Sequence, residues 1–175
     1  MENIEIGLSK TKLILMFLAS LAFVTLGIQF TIHPENYISF RYSSPELIKI
    51  VGIITILFFP LGIIYSLVKI FDKKKGLIID KNGITDNSSG YSNGLIVWKD
   101  IISINVTKVK STSFLLIIVK NPVEYIGKAN YIKALVLKLN YKLYGTPISI
   151  SSTSLKIDFE DSRNIVETEF QKSKL

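Results

Sequence analysis

The spacing of apolar and polar positions divides this chain into two parts. Residues 13–32 are twenty positions in which Gln29 is the only strongly polar side chain, and residues 50–68 are nineteen with no charge. As helices, these runs measure roughly 28–30 Å at 1.5 Å per residue, about the hydrocarbon thickness of a bilayer. They predict a transmembrane hairpin with spans at about 13–32 and 50–68 and a loop at 33–49. Past Lys69 the pattern shortens to strand length. Residues 76–80 and 84–88 flank the turn signal Lys81-Asn82-Gly83, and residues 94–98 follow a polar, glycine-rich loop. Residues 102–108 alternate between apolar and polar, residues 114–119 are apolar throughout, and residues 148–151 supply a sixth strand. Strands in this order predict an antiparallel meander.

Helical patterns interrupt and close the strand region. Asn121-Pro122 is a helix-start signal, with a break expected near 127–130. From Tyr131 the helical period is clear: Ile132, Leu135, Val136, Leu139 and Leu143 share a face, expected to pack on the core. Leu137 and Tyr141 form a second apolar pair on the far side, with Lys138 and Lys142 between the two faces and Lys133 beyond. That pair is a candidate partner or interface ridge on a basic amphipathic helix. Gly145-Thr146-Pro147 ends the helix. Asp158 or Asp161 caps a last one, on which Phe159, Val166 and Phe170 share a stripe.

Charge orients the hairpin. Lys10 and Lys12 precede the first run and Lys69, Lys73, Lys74 and Lys75 follow the second, whereas the loop side offers Arg41 and nearby Lys49. This bias places both termini in the cytoplasm. Aromatics at Tyr37, Phe40 and Tyr42 suit an interfacial belt in the loop, and Pro60 predicts a kink in the second helix. The first run is longer than a signal-peptide core and lacks a small-residue cleavage site, so an uncleaved anchor is expected. The net charge of +7 is unevenly spread: residues 69–157 carry fourteen basic and five acidic side chains, whereas residues 1–68 are neutral. A basic domain beside a bilayer meets anionic headgroups first, and Lys73, Lys74 and Lys75 are candidate membrane-surface contacts. The lysines are scattered along the chain, which argues against nucleic acid as a partner.

The segments GLIIDKNGITDN (76–87) and LIVWKDI (95–101) resemble the opening of bacterial pleckstrin-homology-like (PH-like) domains. Together with Asn121-Pro122, Tyr125-Ile126 and residues 144–150 (YGTPISI), and placed after a two-helix hairpin, they resemble a family of small, largely uncharacterised bacterial membrane proteins. The likeness covers most of residues 12–170. It implies an α+β membrane protein: a transmembrane hairpin (1–72) followed by a cytoplasmic PH-like domain (73–175), an antiparallel β-barrel or sheet with an inserted and a C-terminal helix. It also implies that Trp98 packs under the barrel and that the Asp100 carboxylate accepts backbone N–H bonds. It brings no activity, cofactor or catalytic residue.

The chemistry-bearing motifs point nowhere else. Cysteine is absent, which excludes disulfides and thiolate chemistry, and His33 is the only histidine. There is no phosphate-binding glycine loop, H-E-x-x-H or G-x-S-x-G. Ser66-Leu67-Val68-Lys69 matches S-x-x-K at the end of an apolar span, without its companion motifs. The expectation is therefore a non-enzymatic module, integral to the bacterial cytoplasmic membrane and without a cofactor. It would act at the inner leaflet on anionic lipid headgroups or a membrane protein partner. The alternative is an accessory or immunity-type subunit of a larger membrane complex.

Overall fold

A computed structural model of the chain describes residues 2–38, 44–92 and 94–174; Phe40, Arg41 and Tyr42 lie outside the described residues. The chain divides into two compact units, residues 10–72 and residues 1–9 with 73–175. The second unit therefore includes nine residues expected to belong with the hairpin.

The first unit is a helical hairpin. Helix α1 spans Lys10–Ile32 and α2 spans Pro45–Phe71, with a 3-10 turn, Pro34–Tyr37, after α1. Both are long and apolar enough to cross a membrane. Pro45 stands at the first turn of α2, where its missing N–H costs nothing, and the helix continues through Pro60. The helices meet through small side chains. On α1 the buried positions are Leu13, Ser20 and Gly27, two turns apart; on α2 they include Gly52 and Ser66. A Cβ at Gly52 would stand 2.8 Å from the Gly27 carbonyl oxygen and 2.6 Å from the Thr31 hydroxyl, so the backbones approach as closely as glycine permits. Phe23 and Phe59 stack beside the seam at 4.4 Å. Lys10 Nζ donates to the carbonyls of Lys69, Ile70 and Asp72, closing the carbonyl-rich end of α2 with a cation.

The second unit is α+β. Strand β1 (Ile4–Ile6) pairs antiparallel with β2 (Leu77–Ile79), which pairs with β3 (Gly83–Asp86) and then β4 (Gly94–Val97). Strands β5 (Ile101–Val109), β6 (Thr112–Val119) and β7 (Ile148–Ile150) form a second antiparallel sheet. The neighbours in each sheet follow chain order, as a meander requires. The described strands make two sheets and no closed barrel, so the barrel expectation is corrected to an open pair. The strand absent from the sequence expectation is β1. Because β1 pairs with β2, the chain leaves this sheet after Ile6 and returns to it at Leu77, with the whole hairpin in between.

Local signals place the turns. Between β2 and β3 the Asp80 carboxylate accepts from the backbone N–H groups of Asn82 (2.8 Å) and Gly83 (3.2 Å). Gly83 has φ 155°, and a Cβ there would lie 2.0 Å from the Ile96 carbonyl oxygen. Between β6 and β7 run α3 (Pro122–Gly127) and α4 (Tyr131–Tyr144), separated at the expected break. The Asn130 side chain caps α4 by accepting from Lys133 N–H at 3.0 Å, and Gly145 ends it at φ 73°. Helix α5 (Phe159–Lys172) buries Val166 and Phe170, with Asp158 at its N-cap. The core is aliphatic: Leu77, Ile79, Ile84, Ile96, Leu115, Ile117, Ile150 and Leu155 are fully buried.

Candidate functional site

The residues singled out from sequence do not converge on one site. Lys73 and Lys74 are exposed, and Lys75 pairs with Glu5 at 3.1 Å across two half-exposed side chains. The pairing of β1 with β2 sets Glu5 opposite Ile78, close in sequence to Lys75. Such an exposed pair leaves Lys75 most of its charge effect at a surface.

The faces of α4 are the reverse of the expectation. Leu137, expected to form part of an interface ridge, is 1% exposed and serves the core; Tyr141, its partner in that ridge, is 42% exposed. The face expected to pack inward turns out: Ile132 is 77% exposed, Leu135 55%, Leu139 53% and Leu143 68%. Periodicity finds a stripe but not its direction. The direction is set by the three-residue return from α4 to β7. There Thr146 is fully buried, donates to the Ile117 carbonyl and accepts from Ile148 N–H. Asn140 Nδ2 then donates to Ser149 Oγ of β7 at 3.2 Å, which fixes the rotation of the helix.

A cleft of about 740 Å³ lies where the β2–β3 turn, β4 and the end of α5 meet. Lys81, Lys99 and Lys174 line it, with Asn82, Ser173 and apolar walls from Leu95, Val97 and Ile101; no carboxylate is among its described lining residues. Its floor is aromatic. Trp98 is buried, donates Nε1–H to the Asp80 carbonyl at 2.7 Å and stacks on Phe170 at 6.2 Å. Lys174 Nζ sits 4.2 Å above the Phe170 ring. Trp98 is buried as expected, but against Phe170 of α5 rather than under a closed barrel, and the cleft lies outside the expectation because its three lysines come from segments far apart in the chain.

Asp100 differs from its expectation. Its carboxylate accepts from the Tyr125 hydroxyl at 3.0 Å, a side chain of α3 rather than a backbone N–H. Burial, reinforced by that carboxylate, pushes the Tyr125 phenol up to about 12. A phenol held protonated in this way is a structural donor. Within the hairpin, Ser66 Oγ donates to the Gly62 carbonyl at 2.6 Å and Lys69 pairs with Asp72 at 3.5 Å. Each side chain of the S-x-x-K match thus has a partner of its own. His33 faces Glu35 at 3.5 Å, both well exposed.

Comparison of the chain with protein-family models, with curated proteins and with solved structures found no match in any of the three.

Proposed function

We propose that this chain is a membrane-anchored, non-enzymatic interaction module. Helices α1 and α2 cross the lipid, both termini stay in the cytoplasm, and the α+β body works at the inner leaflet of a bacterial cytoplasmic membrane. The observation that carries this reading is the destination of the large apolar side chains of the hairpin. Leu15, Leu18, Leu57, Phe58, Leu61 and Ile64 point outward while glycine and serine occupy the seam. In water that arrangement exposes the apolar surface that folding normally removes; in hydrocarbon it costs nothing and the small-residue seam supplies the packing.

Further support comes from the pairing of β1 with β2, which requires an even number of crossings between residues 9 and 73. A PH-like body is supported by the succession of two antiparallel sheets and a terminal helix that presents Phe170 to Trp98. The lysine-lined cleft favours an anionic headgroup over a neutral partner. The test is to purify the full chain from native membranes in mild detergent and identify what it retains. Anionic phospholipid or a stoichiometric membrane protein, held against washing and reduced by Lys81→Gln with Lys99→Gln, is the expected result. A chain that retains neither contradicts the reading.

A further inference from the structure

We propose that the outward stripe of α4, formed by Ile132, Leu135, Leu139 and Leu143, lies in the headgroup–acyl boundary of an anionic bilayer. The proposal rests on the membrane-anchored reading above and assigns a second, peripheral contact to the body. Four large apolar side chains recur at spacings of three, four and four, so they make one continuous ridge, and each is more than half exposed. A ridge of this kind on a folded domain marks a surface that is covered in use.

Charge identifies what covers it. From Tyr131 to Tyr144 there are three lysines and no acidic residue. Lys138 and Lys142 are exposed and follow Leu135 around the helix, forming one edge of the ridge. From that edge their aliphatic stems lie along the apolar ridge while the ammonium groups reach phosphates, the arrangement of a helix resting in a lipid interface. A second copy of the chain is a poorer occupant, because the same helix of that copy offers no acidic side chain to meet Lys138 and Lys142. Connectivity adds to the argument. Only residues 7–9 and 72–76 separate the body's strands from the two apolar helices, so a bilayer that holds the hairpin is always within reach of the body.

Because the chain lacks cysteine, single-cysteine labelling is clean. Leu139→Cys carries an environment-sensitive fluorophore in the full chain, reconstituted in phosphatidylcholine vesicles with or without phosphatidylglycerol and with spin-labelled acyl chains as quencher. Thr168→Cys, exposed on α5, is the aqueous control, and Leu57→Cys on α2 reports insertion of the hairpin. The expected result is a blue-shifted label at 139, quenched at least about twofold more than at 168 and only with phosphatidylglycerol present. Lys138→Glu with Lys142→Glu should return it toward the control. A label at 139 that behaves like 168 in both membranes overturns the proposal. So does a label shielded from water but untouched by lipid quencher, which would mean that protein covers the ridge. If 57 is quenched and 139 is not, the anchoring reading stands alone; if 57 is not quenched, the anchoring reading itself falls.

Discussion

The hairpin and the α+β body solve opposite packing problems with similar residues. In the body, leucine and isoleucine make the core: Leu77, Ile84 and Leu115 are buried. In the hairpin the same residue types point outward, and Ser20, Gly27 and Gly52 hold the centre. The contrast is what the proposed surroundings, water for the body and lipid for the hairpin, would produce. Water drives large apolar side chains together, whereas hydrocarbon leaves them indifferent and rewards close backbone approach. Helix α4 belongs to the body by its core contact through Leu137 but resembles the hairpin on its outer face.

Four substitutions probe this contrast in the full chain in mild detergent, the body by denaturation and the hairpin by cysteine cross-linking. Trp98 is the single tryptophan and is buried in the body, so its emission follows the body alone. Leu77→Ala should lower the body's stability the most, by about 2–5 kcal/mol, because a fully buried side chain leaves a cavity. An unshifted Trp98 transition would show that the inner face is misassigned. In the hairpin the damaging change is enlargement. Gly52→Leu should cost about 1–3 kcal/mol of helix pairing and slow disulfide formation between cysteines introduced at positions 23 and 59, while leaving the Trp98 transition in place. Tyr125→Phe removes one part-buried hydrogen bond to Asp100, for about 1 kcal/mol. That variant also tests a pH effect. A phenol whose pKa rises on folding holds its proton more tightly in the folded state. Its contribution is intact below the ordinary value of 10.0 and is lost as pH climbs toward about 12. The alkaline loss of stability in that window should be shallower in Tyr125→Phe than in the parent. Leu57→Ala, read by the same disulfide formation between positions 23 and 59, is expected to have the smallest effect, within about 0.5 kcal/mol of helix pairing, although it makes the same replacement as at Leu77. Leu57 is 72% exposed in the structure. A large loss there would place it against protein rather than lipid.

The two long helices of the hairpin are legible in the sequence because apolar runs of nineteen and twenty residues are far longer than a strand. Their seam is not legible through a G-x-x-x-G search, since Ser20 and Gly27 lie two turns apart and meet glycines of the other helix. Strands β2 to β7 and the two helix breaks follow from period and from turn residues such as Gly83, Asn130 and Gly145. Strand β1 escapes such a reading because three residues are too few to show a period, and its partner lies beyond the whole hairpin. The Asp100–Tyr125 bond and the lysine cleft depend on contacts between distant segments, which one sequence does not reveal. The faces of α4 come out inverted for a different reason. Periodicity assigns the more apolar stripe to the inside, whereas Leu137 and the Asn140–Ser149 bond hold the other face of this helix against the body.

Whether two lipid-crossing helices hold a cytoplasmic body is tested most directly by alkaline carbonate extraction combined with protease digestion from each side of the membrane. The account predicts that the chain stays in the membrane pellet and that a C-terminal tag is cut only in inside-out vesicles. Release into the carbonate supernatant, or cleavage of the tag in intact spheroplasts, would contradict it.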